Sequence, residues 1–122
     1  PNSLYSMFDF ENLEVYKKSK VFTSTVRREI IKKNTLDSST KNQLNRAAVS
    51  VMLNIAEGAG RFTNPDKRNF YVIARGSVFE CVAILDLLIE EDIIDKERFI
   101  QLYKNAEELS KMLFSMIKRL SK

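Results

Sequence analysis

The sequence predicts an all-α fold: an up-down-up-down antiparallel four-helix bundle that associates with copies of itself. Three observations carry that prediction. Apolar residues recur at the 3.6-residue helical period through four long segments. Only 2 prolines and 3 glycines interrupt the 122 residues, too few for a loop-rich β-sandwich. The connections between segments are short, so consecutive helices are expected to pack antiparallel.

The first helix is expected from about Glu11 to Lys33. Val15, Phe22, Thr23, Val26 and Ile30 share one side with Ser19, while Lys17, Lys20, Arg27, Arg28 and Lys32 take the other. The second helix starts among the capping residues of Asp37–Thr40 and stops at Gly58 and Gly60, which read as terminating glycines. Asn64-Pro65-Asp66 reads as N-cap, first-turn proline and first-turn acid, opening a third helix to about Glu91. Asp95 caps the fourth, whose stripe runs through Phe99, Leu102, Ala106, Leu109, Leu113, Ile117 and Leu120.

The bundle domain is assigned to residues 11–122, with residues 1–10 as a disordered or expression-derived lead-in and Met7 as the expected native start. At 44% hydrophobic and 30% charged, the composition suits one folded domain. Asp9, Glu11 and Glu14 break up any signal-peptide core, and no run of roughly 18 apolar residues could span a membrane. The lone cysteine, Cys81, forms no internal disulfide and fits a reducing cytoplasm.

The chain contains no histidine, which removes the commonest general base and the usual transition-metal ligand. Cys81 falls on the core side without a basic partner and is expected to be inert. Glu57 and Glu80 are placed several helical turns apart, too far to share a substrate bond. The Gly58-Ala59-Gly60-Arg61 turn lacks the lysine and the preceding strand of a phosphate loop. No catalytic residue, cofactor or metal is expected.

The middle helices are apolar on more than one side. Leu44, Ala48, Val51 and Ile55 suffice for the core, yet Val49, Met52, Leu53 and Ala56 occupy a second side. In the third helix Phe70, Ile73, Cys81, Ile84 and Leu88 are assigned to the core, and Val72, Phe79 and Ala83 point elsewhere. A helix apolar on two sides is buried on two sides, so Val49, Met52, Leu53, Val72 and Phe79 are the expected interface between copies. The remaining stripe is polar: Arg46, Ser50, Asn54, Glu57 and Arg61, extended on the third helix by Arg75 and Glu80. Counting outward from the turn at Phe62–Asn64 sets Arg46 level with Glu80 and Ser50 level with Gly76. An Arg46–Glu80 pair that sets register is favoured over a ligand groove.

The net charge of +4 is unevenly spread. One end of an up-down bundle would gather Lys17, Lys18, Lys20, Arg61, Lys67, Arg68, Lys118, Arg119 and Lys122. The other holds the acidic turn before Asp95, offset by Lys32, Lys33 and Lys41. Clustered Lys and Arg form an electrostatic footprint for a phosphate backbone, repeated once per subunit in a ring.

Several of these residues carry a family resemblance. Gln43-Leu44-Asn45-Arg46-Ala47-Ala48-Val49-Ser50, followed by Asn54-Ile55-Ala56-Glu57-Gly58 and Gly60-Arg61, resembles the signature of bacterial four-helix bundle proteins encoded by 23S rRNA intervening sequences. Ala74-Arg75-Gly76-Ser77 with Glu80 is similar to that family's second motif, and Leu13-Glu14-Val15-Tyr16 to its opening one. The likeness runs from Phe8 onward; the connection Asn34–Ser39 departs from it by lacking a proline. The resemblance implies a bundle without enzymatic activity, commonly a homopentamer. That family is in turn similar to accessory proteins of diversity-generating retroelements, basic pentamers that bind nucleic acid and a reverse transcriptase. Two functional readings stay open: RNA or DNA binding through the basic pole, and an oligomeric scaffold for a protein partner.

Overall fold

The computed structural model describes residues 8–121, and four helices with no strand make up the fold of those residues. The expectations for Met7, the residues before it and Lys122 lie outside them. A 3-10 turn over Asp9–Asn12 leads into α1, Glu14–Thr25. Phe10 packs edge-on against Tyr16 of α1, with ring centroids 4.7 Å apart. The domain boundary drawn at Glu11 therefore falls inside a turn that already touches the bundle.

After Thr25 the chain continues as a π-helical segment, Val26–Ile31. The Thr25 hydroxyl donates to the carbonyl of Val21 at 2.8 Å, diverting a ladder acceptor where the helix widens. The Lys32 amide then reaches back five residues to the carbonyl of Arg27, and the Asn34 side-chain amide takes the carbonyl of Ile30 at 3.0 Å. The regular period read through to Lys33 is thus interrupted in its last third.

The other helices begin on side-chain caps. Asp37 opens α2, Ser38–Ala59, by accepting from the Thr40 hydroxyl at 2.7 Å and the Thr40 amide at 3.0 Å. Those two bonds, the hydroxyl's foremost, hold its carboxyl below the usual aspartate range. The cap of α3, Asn64–Glu90, is Thr63, one residue earlier than the expected Asn64, and its hydroxyl accepts from the Asp66 amide. Asp95 caps α4, Lys96–Leu120, through the Arg98 amide at 2.8 Å. Between α3 and α4, Asp92 takes a left-handed φ of 57°, a conformation aspartate tolerates better than most residues.

α2 packs on α1 and α3, and α4 packs on α3 and α1. The core is mostly aliphatic, with one fully buried aromatic ring: Phe22, Leu44, Ile55, Leu85, Leu102, Leu109 and Leu113 are all fully buried. Each contributes roughly 1.5–3 kcal/mol by leaving water. The four core residues expected on α2 lie in this core.

On α3 the expected face needs correction. Cys81 and Leu88 are buried, but their companions are Tyr71, Ala74, Val78 and Leu85; Ile73 is 46% exposed, while Phe70 and Ile84 are half-buried. α3 is apolar on more than one side, so periodicity alone admitted more than one face. Close approach to α2 decides between them. A Cβ added to Gly58 would lie 2.8 Å from Cε1 of Tyr71 and 3.0 Å from Cβ of Phe70. Gly58 therefore sits inside α2 as the point where two helices touch, and its role is contact, not termination. The last-turn glycine, Gly60, has an ordinary helical φ of −86°.

Candidate functional site

Cross-helix bonds bring much of the expected basic cluster to one end. The Lys67 ammonium donates to the carbonyl of Ala59 at 2.9 Å, joining the start of α3 to the end of α2. Arg68 donates to the Ser121 hydroxyl at 2.6 Å, joining the start of α3 to the residue after α4. Arg119 shares a shallow surface depression with Leu13, Glu14 and Val15, which adds the start of α1.

The cations at this end are not equally available. Arg61 pairs with Glu57 at 2.9 Å and lies over the Phe70 ring, 4.6 Å from its centroid. Lys17 approaches Glu14 at 3.8 Å. Lys18 pairs with Glu108, three turns short of the end of α4, so it lies on the flank of the bundle, not at its pole. Lys20 lies beyond it along α1. Among the described residues, Lys20, Arg68, Lys118 and Arg119 have no carboxylate within ion-pair distance.

At the opposite end Glu29 draws two elements together. It accepts from Lys33 at 3.0 Å and from Arg98 of α4 at 2.9 Å. The Lys33 hydrogen bond, with the charges of Lys33, Arg98 and Arg28, lowers its carboxyl pKa from the usual value.

Two members of the polar stripe, Ser50 and Asn54, lie on the α2–α3 seam. The Ser50 and Ser77 hydroxyls are 2.8 Å apart, and the Asn54 amide donates to the Ser50 carbonyl and hydroxyl at 2.8 and 3.0 Å. Ser77, which the stripe omitted, stands beside Ser50, one residue on from the Gly76 expected at that level. Arg46 and Glu80 are both exposed and make no ion pair with each other within the chain. Arg75 does not belong to this seam: its Nε faces the carbonyl of Ser110 on α4 at 3.4 Å. Its guanidinium lies 4.8 Å from the Phe79 ring centroid and 5.5 Å from that of Phe114.

Arg75 and Phe79 line a groove of about 650 Å³ between α3 and α4, together with Val82, Phe99 and Tyr103. The expected interface set therefore divides between two surfaces. Val49, Met52 and Leu53 lie on α2, and Phe79 lies in the α3–α4 groove, with exposed Val72 beside it on α3. The groove was missed, although Tyr103 and Phe114 stand three turns apart on α4 and off its core stripe, a spacing that marks a second face.

Cys81 is buried, and that burial, reinforced by the neighbouring Glu80 charge, pushes its thiol up to about 12. It is a protonated core residue at neutral pH. No group of His, Cys, Asp and Glu among the described residues has the arrangement of a metal site, and every buried side-chain polar atom has a partner. No helix among them is long and apolar enough to cross a membrane.

No curated protein matches the chain. A solved protein of unknown function from the S23 ribosomal protein family of Bacteroides thetaiotaomicron is similar to it, with a TM-score of 0.73 and 25% identity. The match covers 85% of this chain and 98% of that one. The model of the 23S rRNA-intervening sequence protein family matches residues 11–115, so that the motifs around Arg46, Glu57 and Arg75 all lie within it. The chain belongs to the 23S rRNA-intervening sequence protein family.

Proposed function

We propose that the chain is a non-enzymatic, up-down-up-down antiparallel bundle whose function depends on assembly with further copies of itself. One observation carries this reading. Leu53, Val72, Ile73 and Phe79, on α2 and α3, are each more than two-fifths exposed in the single chain. Large apolar side chains left open on two neighbouring helices are characteristic of interaction surfaces. The family resemblance favours five subunits, and the lone cysteine, Cys81, favours a reducing cytoplasm. Light scattering at micromolar protein tests the reading; a monodisperse monomer refutes it.

Within the assembly, the pole bearing Arg68, Lys118 and Arg119 is the surface offered to RNA or DNA. Among the described residues no carboxylate pairs with these three, which favours phosphate binding there because their charge is left open to a ligand. Recognition would rest on backbone charge and be weakly sequence-specific. Binding that stays flat between 50 and 200 mM salt, on the order of the range over which phosphate contacts weaken strongly, refutes it. The alternative is a scaffold for a protein partner, favoured by the amphipathic α3–α4 groove. Copurification separates the two: nuclease-sensitive RNA supports the first, a stoichiometric protein the second.

A further inference from the structure

The single chain carries two unlike open apolar surfaces: the outer face of α2, with Val49 and Leu53, and the α3–α4 groove, with Phe79 at its rim. A two-fold contact uses one patch against its own copy and would leave the other exposed. A head-to-tail contact uses both, and closes into a ring when the rotation allows.

The charges on the two surfaces match in order and spacing. Along α2, Arg46 and Glu57 are eleven residues apart, about 16 Å by the helical rise. On α3, Asp86 and Arg75 are also eleven residues apart, and both line the groove. The level of each follows from the cross-helix contacts. Ser50 stands beside Ser77, Arg75 beside Ser110, and Asp86 shares its end of the groove with Phe99.

By that register, Arg46 falls in height between Asp86 and Glu107. Glu57 falls between Arg75 and Lys118, with Lys111 nearby. Rotation about an axis along the helices carries one copy to the next without sliding it lengthwise. Each α2 charge then lies within about 7 Å along the axis of an opposite charge on either side, a span that these long side chains cover, with Val49 and Leu53 level with the apolar middle of the groove. Arg46 and Glu80, unpaired with each other in the chain, are not required to pair at all.

We propose that the α3–α4 groove of each copy receives the outer face of α2 from the next copy, a heterologous contact that closes into a ring. This rests on the self-association reading above and names the surface that receives α2.

The test uses Leu53→Asp, which spoils the α2 face, and Phe79→Asp, which spoils the groove. Both side chains are more than half exposed, so neither change empties the core. Mass comes from light scattering, and far-UV circular dichroism checks helicity. Each variant alone is expected to be a fully helical monomer. Mixed in equal amounts, they are expected to form a heterodimer of twice the chain mass, because one intact α2 face and one intact groove remain between them.

A Phe79→Asp chain that keeps the wild-type mass overturns the groove assignment while leaving self-association standing. So does a mixture that stays monomeric. A wild-type chain that is itself a monomer defeats the underlying reading instead. Should Phe79→Asp lose helicity, Arg46→Glu and Glu107→Arg replace it. Each alone is expected to weaken assembly at least tenfold and the pair to restore it; a double variant no better than the singles overturns the proposal.

Discussion

The same substitution at two glycines is expected to change stability in opposite directions. Gly58 and Gly76 both lie inside long helices, where alanine is favoured over glycine by about 1 kcal/mol. At Gly76 a Cβ would meet nothing within 4 Å, so that gain is collected in full. At Gly58 the new methyl would sit 2.8 Å from the Tyr71 ring and 3.0 Å from Cβ of Phe70. The second contact lies next to the backbone of α3, so relief requires the helices to separate. Tyr71 is buried and Phe70 half-buried beneath the Arg61 guanidinium, leaving little room for rotation. Overpacking of this kind costs about 1–3 kcal/mol. Gly58→Ala is therefore expected to lose about 1 kcal/mol net, and Gly76→Ala to gain about 1 kcal/mol. The gap of about 2 kcal/mol corresponds to roughly 8 °C in Tm for a domain of this size. Both belong in the Leu53→Asp background at one protein concentration, so that assembly does not add to apparent stability. Urea denaturation followed by circular dichroism gives the two values. Equal shifts, or a Gly58→Ala chain more stable than its parent, would refute close helix contact at Gly58.

Other expectations follow from individual groups. The Cys81 thiol should resist alkylation at pH 8 in the folded chain and react at the ordinary rate once urea unfolds it; rapid labelling of the native chain would contradict its burial. Because burial raises its folded pKa to about 12, above the ordinary thiol value of 9.0, its contribution is intact below pH 9 and is lost as pH rises above it. Cys81→Ala should therefore lose less stability than wild type between pH 8 and pH 10, by about 1 kcal/mol. Glu29 has the reverse sign: its lowered pKa makes its contribution present at neutral pH and lost as pH falls through the carboxylate range. Glu29→Gln should show a shallower acid loss than wild type, and identical acid profiles would count against the Lys33–Glu29–Arg98 cluster. At the basic pole, Arg68→Glu with Lys118→Glu and Arg119→Glu should abolish RNA retention at physiological salt. Reversal of Lys18, already held by Glu108, should change it little.

Much of the fold was legible because its signals are local. Asp37 and Asp95 announce helix starts through oxygens that reach amides three residues on, and the stripe from Leu102 to Leu113 needs only the helical period. The failures cluster where local signals are degenerate. Asn64 and Thr63 are both competent caps, and backbone geometry chose Thr63. Gly58 and Gly60 look alike in sequence, yet only Gly58 has a neighbouring helix against its α-carbon. Arg75 was grouped with Arg46 and Glu80 as one polar stripe, but it reaches α4 while the Ser50–Ser77–Asn54 bonds stay on the α2–α3 seam.

By itself the sequence determined that this protein is helical, how many helices it has, which residues cap two of them, and that α2 and α3 carry more apolar surface than a core needs. Periodicity, capping chemistry and composition act within one helix, so one chain segment suffices to read them. Tertiary structure decided which face of α3 turns inward, which cations lie at the pole, and that α3 and α4 leave an amphipathic groove between them. Those outcomes depend on the rotation of each helix about its own axis. That rotation is set by contacts between distant residues, such as Tyr71 against Gly58, which no single segment contains.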